Sequence, residues 1–460
     1  MKIEFLHKEE FNTRLILIYS GWGANARIAK EIKRKGWDVA VVFDYDDLNI
    51  NLSFLDNYYT VYLIAWSLGV YAAALTLPGD RITAAFAING TLKPIDDNLG
   101  IPLVIYENTE KNLSDRNLKK FRLRMAVDRD EHEEMLTRLD SDFSESRIDN
   151  LRNQLQTIRQ LCLTNHKVNE LPWVRAYIGM HDRIFPADNQ RLSWAHDPEV
   201  ETAVLETRGH YIPLELITDS VISDTEKVSA RFSKAASTYD THAIAQYSAA
   251  LKLTDGFAGL HPVLHPKILE IGCGTGLFTH EYARLVKPSE VDFVDITECG
   301  PFGIAPEERY IIADAEKWIE EQDRRWDAIV SASAIQWFAD IPRFLRTCAE
   351  KLSHEGVLAI STFAPGNMEE LDELRPSPLI YPRASMLREC LHDLFEESQV
   401  IEDSIKVEFK SAREVLMHLK HTGVGGSAPG TGKSMKDMSR LRSLTYKPIY
   451  ILARNSKKSL

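Results

Sequence analysis

Cysteine is scarce in this chain and nowhere paired in sequence. Cys162, Cys273, Cys299, Cys348 and Cys390 form no CxxC spacing. Neither a disulfide framework nor a zinc site is indicated, and no metal is expected. Long uncharged apolar runs are missing, so no membrane helix is expected. The opening MKIEFLHKEEFN carries charge where a signal peptide needs an apolar stretch. There is no low-complexity block and no internal repeat. Positive charge is in deficit too. A formal net charge of −12 argues against general nucleic-acid binding. An acidic partner would need a local basic patch. These absences set the expectation of a reduced, cytoplasmic chain with neither a membrane nor a nucleic-acid partner. The 460 residues are too many for one core, so two domains are expected.

What is present is an alternation of buried strands and helices. Arg14–Gly23 (RLILIYSGWG) reads as an apolar strand ending in glycines, Ala26–Lys35 as a helix, and Asp38–Phe43 as the next strand. Tyr59–Ala65, Ile82–Asn89, Trp173–Gly179 and Val200–Glu206 continue the strands, with a helix over Leu68–Leu77. Such runs indicate a parallel, doubly wound α/β sheet. Between Asn112 and Gln160 the sequence turns charged and helical in period. A hydrolase lid would sit there, over about 110–170; a solvated helical excursion is the plainer alternative. The boundary falls near Asp219–Thr225, giving domains 1–218 and 225–460. The second domain repeats the alternation. Its candidate strands are Lys267–Ile271, Val291–Ile296, Arg309–Ala313, Trp326–Ser331, Val357–Thr362, Ile405–Phe409 and Ile449–Arg454. Five parallel strands followed by a terminal pair is the Rossmann-like methyltransferase pattern.

In YLIAWSLGVYAA, Ser67 stands between a strand and a helix. A nucleophile elbow needs small residues two before and two after its serine, because the neighbouring backbone is close. Ala65 and Gly69 meet that demand. A plain helix cap is the alternative for Ser67. A nucleophilic serine also needs a base, and the base an orienting carboxylate. Asp182 follows strand WVRAYIG and His210 follows the last strand, so Ser67, Asp182 and His210 run in the order this fold requires. All stand just past the carboxyl ends of strands, where the sites of such sheets form. The oxyanion hole would take the backbone N–H of Leu68 and one from the Gly21-Trp22-Gly23 turn, with Trp22 the expected donor. A tryptophan packed on the core is the alternative.

In the second domain KILEI runs into Gly272-Cys273-Gly274-Thr275-Gly276. Glycine lets the backbone pass close under a nucleoside and its amino-acid tail. The dinucleotide motif G-x-G-x-x-G would need glycine or alanine where Leu277 stands, so the spelling with leading Glu270 favours S-adenosylmethionine. Asp295 ends the next strand and is placed to hold the ribose hydroxyls. Asp314 ends the third and is placed for the adenine amino group, with Ala315 giving a backbone contact. Each carboxylate has a helix N-cap as its alternative. Small residues Ser331 and Ala332 leave room for the methyl donor, and Gln336 and Trp337 can wall the acceptor pocket. Arg231, Tyr239 and Gln246 are further candidates for the acceptor pocket. Gly300, Pro301, Gly303 and Pro306 argue against a full helix between strands two and three. GGSAPGTGKS (Gly425–Ser434) imitates a phosphate loop, but Ser427 replaces the required first glycine. It reads as a loop over the acceptor pocket.

The motifs SGWG, WSLGV, GMHDRIFPADNQ and RGH resemble the pimeloyl-[acyl-carrier protein] methyl ester esterases of biotin synthesis, BioG type, over roughly Met1 to Ile217. RFSKAASTYD, EIGCGTG, DAE and IQWF resemble the malonyl-[acyl-carrier protein] O-methyltransferases, BioC family, over roughly Lys227 to Asn455. The resemblance implies an α/β-hydrolase with a helical lid followed by a class I methyltransferase. It implies methylation of a malonyl carboxylate and later removal of that methyl from a seven-carbon chain, both on acyl carrier protein. DRNLKKFRLR puts Lys119, Lys120, Arg122 and Arg124 on the lid as a docking patch for that acidic carrier; a solvated helix face is the alternative. The competing classes are a general carboxylesterase joined to a small-molecule methyltransferase, and a chain with one domain kept as a scaffold.

Overall fold

The computed structural model describes residues 1–9, 12–139, 142–164, 166–223, 225–371, 379–423 and 441–457. The chain divides after Asp219 into two compact units. Among the described residues no helix is long and apolar enough to cross a membrane.

The first unit is built on seven strands: β1 (Lys2–His7), β2 (Arg14–Tyr19), β3 (Asp38–Phe43), β4 (Thr60–Trp66), β5 (Ala84–Ile88), β6 (Trp173–Gly179) and β7 (Glu201–Leu205). Their order is β1-β3-β2-β4-β5-β6-β7, parallel except for β1, which pairs antiparallel with β3. β4 and β5 are buried at every residue. Such strands need cover on both faces, which parallel crossovers supply. β1 was not expected from the sequence. Its charged Lys2 and Glu4 are exposed on a sheet edge, so it shows no continuous apolar run.

The helix expected over Ala26–Lys35 does not form. A single 3-10 turn, Ala26–Ala29, is capped by the Asn25 side chain, and Gly36 at φ 76° closes the segment as a turn. Arg34 is drawn to Asp219 instead of continuing a helical face. Tertiary contacts here outweigh local propensity. The insertion is helical as expected, in four helices: Leu103–Lys111, Asp115–Met125, Arg129–Arg138 and Glu145–Leu163.

The second unit holds β8 (Lys267–Ile271), β9 (Glu290–Asp295), β10 (Glu307–Ile312), β11 (Trp326–Ala332), β12 (Leu352–Phe363), β13 (Phe395–Glu402), β14 (Ile405–Glu408), β15 (Ser443–Tyr446) and β16 (Pro448–Ser456). The main sheet runs β10-β9-β8-β11-β12-β16-β13, with its last two strands antiparallel to their neighbours. The terminal pair differs from the expectation. β14 leaves the sheet and pairs with β15 in a separate two-stranded ribbon. Its place is taken by β13, whose FEESQVIE is largely exposed on the outer edge and so lacks an apolar pattern.

No helix joins β9 to β10. The Glu308 carboxylate instead accepts the N–H groups of Gly303, Ile304 and Ala305 and the Tyr310 hydroxyl. Burial alone would raise that carboxyl. The Tyr310 hydroxyl and the backbone donors outweigh it and hold the carboxyl below its ordinary value. Asp292 is a second buried anchor, paired with Arg309 and Arg324 and accepting from the Trp326 indole.

Glycine is obligatory where Ser67 leaves β4. A Cβ on Gly69 would lie 2.4 Å from the Tyr19 carbonyl oxygen and 2.5 Å from that of Ser20. Gly69→Val is therefore expected to cost the first unit at least about 1–3 kcal/mol, as overpacking does. Urea unfolding followed by the fluorescence of that unit's tryptophans checks this. An unchanged midpoint would mean that the β2–β4 packing is looser than described.

Candidate active sites

Ser67 sits at φ 60° and ψ −129°, between β4 and the helix Leu68–Thr76. A non-glycine residue rarely takes a positive φ, and doing so costs about 1–3 kcal/mol. The hydroxyl makes no capping bond to its helix. It lies 3.0 Å from His210 Nε2, and His210 Nδ1 lies 2.9 Å from Asp182 Oδ2. Ser67, His210 and Asp182 are all buried. The three expected residues thus form one continuous hydrogen-bonded chain.

The surroundings fix each member. Asp182 Oδ1 accepts the N–H groups of Ile184 and Phe185 at 2.7 and 2.9 Å, and Oδ2 also accepts the Gln190 amide at 3.0 Å. The His210 carbonyl accepts from the Trp66 indole and the Asn89 amide. Asn89, itself at φ 45°, takes the Gly179 N–H and donates to Gly209 as well. It thereby ties the ends of β5 and β6 to the histidine loop. The Phe185 ring lies parallel to the imidazole at 6.0 Å. Trp66, Asn89 and Gln190 were not picked out in the sequence. Trp66 and Asn89 stand at strand ends, and Gln190 closes the motif GMHDRIFPADNQ eight residues after the acid.

A cavity opens over Ser67, lined by Gly21, Trp22, Leu68, Arg183 and His210 and by insertion residues including Ile105, Phe121, Arg124, Met125 and Leu155. The helical insertion therefore covers the serine. Trp22 lines this cavity and is itself packed: its ring lies edge-on against Phe121, and its indole N–H goes to the Leu151 carbonyl. The expected basic patch is reduced. Lys119 pairs with Asp115 at 2.8 Å, and Arg122 is buried with its guanidinium 4.8 Å from the Phe143 ring. Arg124 turns to the cavity over Phe121, and Lys120 stays exposed.

In the second unit Gly272, Gly274 and Gly276 all take positive φ, at 70°, 52° and 85°. A Cβ on Gly272 would lie 2.3 Å from Ala334 Cβ, and one on Gly276 2.5 Å from the Phe302 ring. A Cβ on Gly274 would meet nothing within 4 Å. The outer two glycines answer to the protein's own packing, and the middle one leaves space above the loop. Asp295 Oδ2 accepts the Gly274 N–H at 2.9 Å, and Oδ1 accepts from Thr297. Asp314 caps the short helix Ala315–Trp318 through the Glu316 N–H at 3.2 Å, and Ala315 is buried. The Glu270 carboxylate is buried beneath the loop and accepts from Thr279 and Tyr282, which ties the loop to the helix that follows it.

The helix Thr225–His242 reaches three rims of this loop cluster: Asp240 accepts from Thr275, Ser229 donates to the Ile296 carbonyl, and Arg231 lies over the Trp337 ring at 6.0 Å. Phe232 packs edge-on between Trp337 and Tyr239. Burial, with Asp240 and Asp295 nearby, pushes the Tyr239 phenol above its ordinary value. Gln336 donates to the Ser333 carbonyl. Among the described residues, buried Gln246 Oε1 and Trp337 Nε1 have no hydrogen-bond partner. Ser331 is turned inward onto the Ile271 carbonyl. Gly425–Ser434, with Lys433, lies outside the described residues. Among the described residues no group of His, Cys, Asp and Glu could hold a metal ion.

Residues 1–215 match the family model described as pimeloyl-ACP methyl esterase BioG, and residues 239–418 match a methyltransferase domain. A malonyl-[acyl-carrier protein] O-methyltransferase of Bacteroides fragilis (strain 638R) is 30% identical over 470 residues, covering 95% of this chain and 92% of that protein. The chain belongs to the malonyl-[acyl-carrier protein] O-methyltransferase family. Within it, the methyltransferase domain follows a BioG domain. A relative of the same description from Porphyromonas gingivalis is 32% identical over 251 residues, covering 50% of this chain and 96% of that protein. The crystal structure of BioG from Haemophilus influenzae is 28% identical and covers 47% of this chain and 96% of that one, with a TM-score of 0.42.

In this methyltransferase domain Glu270 carries a pH signature. Burial, partly offset by bonds from Tyr282 and Thr279, pushes its carboxyl from 4.5 to about 7. The folded domain holds this proton more tightly than the unfolded chain. The resulting stabilisation is fully present below about pH 4.5 and is lost as pH rises through about 7. Glu270→Gln should therefore gain melting temperature over the native chain at pH 8 relative to pH 5. Differential scanning calorimetry reads that gap, and a pH-independent gap would contradict the assignment.

Proposed function

We propose that the chain is bifunctional, with an α/β-hydrolase esterase over 1–218, its lid at about 110–170, and a class I methyltransferase over 225–460. The observation that carries the esterase reading is the Ser67–His210–Asp182 chain, with Ser67 held at positive φ and free of any capping bond. His210 Nε2 takes the Ser67 proton as Oγ attacks the ester carbonyl. The N–H groups of Leu68 and Trp22 receive the charge on the carbonyl oxygen. The proton passes from His210 to the leaving methoxide, which departs as methanol. Water then takes the same route, and Ser67 releases a free carboxylate.

In the methyltransferase the residues fit S-adenosylmethionine. The open space at Gly274 lets a ligand lie against the loop, and buried Gln246 Oε1 and Trp337 Nε1 still need polar partners. Asp295 would hold the ribose hydroxyls, and Asp314 with Ala315 the adenine. When bound, the cofactor supplies an electrophilic methyl group. The malonyl carboxylate is already ionised at neutral pH and needs no base. The chain's own work is orientation and exclusion of water. Arg231, Tyr239, Gln246, Gln336 and Trp337 would wall the acceptor site, and Thr225–His242 would cover it.

The two reactions make chemical sense together. A free carboxylate is costly to bury in an apolar tunnel, and methylation hides its charge until it is restored. Both substrates would ride on acyl carrier protein. Malonyl-carrier protein with methyl-labelled S-adenosylmethionine should become labelled in the native chain and in Ser67→Ala alike. Only the native chain should release methanol from a pimeloyl methyl ester. Failure of label to enter malonyl would leave a small-molecule methyltransferase as the better reading.

Of the expected patch, Lys120 is exposed and does not line the cavity over Ser67. Its charge reversal should raise KM for the carrier-bound ester severalfold, with a small methyl ester unaffected in KM, because rim charges govern encounter. Equal losses on both substrates would remove the docking role.

A further inference from the structure

We propose that Gln190 is a positioning residue of the esterase, fixing Asp182 as the hydrogen-bond acceptor of His210. The inference rests on the reading of Ser67 as nucleophile. Gln190 lies in the first turn of the helix Ala187–Trp194, eight residues beyond the acid, and is fully buried. Its Nε2 donates to Asp182 Oδ2 at 3.0 Å and to the Phe185 carbonyl at 2.8 Å. Both partners only accept, so the amide cannot be flipped; its oxygen would then face a carboxylate.

Two observations set this side chain apart from ordinary packing. First, its Oε1 is buried and has no hydrogen-bond partner among the described residues. A buried amide with an unmet acceptor is costly, while leucine or methionine would fill the same volume without that cost. The side chain is therefore explained by the bond it makes. Second, the bond falls on the oxygen that matters. Oδ1 is already pinned by the N–H groups of Ile184 and Phe185. With only Oδ1 held, the carboxylate can pivot and swing Oδ2 away from the imidazole. Gln190 closes that freedom, and with His210 it brings the donors on the carboxylate to four. Through the Phe185 carbonyl it also holds the residue whose ring lies parallel to the imidazole.

The test follows Ser67 labelling by a fluorophosphonate, which depends on an activated serine and not on the physiological substrate. Labelling rates are measured against pH in the full chain for native, Gln190→Leu and Gln190→Met, with Ser67→Ala as the blank. Circular dichroism checks the fold of each variant. Both Gln190 variants should label about ten- to a hundredfold more slowly, the worth of one hydrogen bond to a charged group. With Oδ2 free to swing away, the imidazolium loses the carboxylate that favours its charged form. The acidic limb of the profile should therefore move to lower pH. Two variants are used so that misfolding of one leaves the other informative. A folded variant that labels at the native rate, or more slowly with the native pH profile, overturns the positioning role. No labelling of the native chain above the blank overturns the reading of Ser67, and the role of Gln190 with it.

Discussion

Close approach of backbone at the carboxyl ends of the parallel strands is the constraint on which both domains depend. A parallel strand must turn within one or two residues to enter its crossover, and the neighbouring strand's carbonyls stand in the way. The chain answers with residues that have no Cβ or with residues forced to positive φ. Besides Gly69, a Cβ on Gly90 would lie 2.3 Å from the Ser67 carbonyl oxygen, and one on Gly179 2.1 Å from that of Gly209. Ser67, Asn89, Gly272 and Ser333 all take positive φ just beyond a strand. Such turns aim side chains and N–H groups out of the sheet, where reacting groups can be reached. The same crowding that restricts sequence thus creates the chemistry-bearing surface in each domain.

The two domains treat buried carboxylates in opposite ways. Asp182 is surrounded by donors and has its geometry fixed by them. Glu270 meets two hydroxyl-bearing neighbours and is left with a carboxyl that holds its proton more firmly. Asp295 has a third use: from the end of β9 it organises the glycine loop through the Gly274 N–H.

Much of this was legible in the sequence because buried parallel strands advertise themselves. β3, β6 and β8 run over the residues that their apolar patterns indicate. What could not be read lies where side chains face water or where a distant partner decides. β1 and β13 are edge strands with charged faces. The segment after Asn25 loses its helix to a turn and a distant ion pair. On the helical insertion, the basic stripe is a sequence fact, but Phe143 and Asp115 determine how its cations are held. At the candidate sites, chemical types and their order were readable; the groups that hold them were not. Asn89 and Gln190 act through residues far from them in order, and no local pattern marks an amide for that work.

The two sheets also keep separate interiors. Leu15, Leu63 and Ala85 belong to a cluster drawn from the first unit, while Leu269, Leu358 and Ile451 belong to one drawn from the second. A chain with two such interiors falls outside the small single domains for which all-or-none unfolding is the rule, so a single melting temperature is not a well-defined quantity for it.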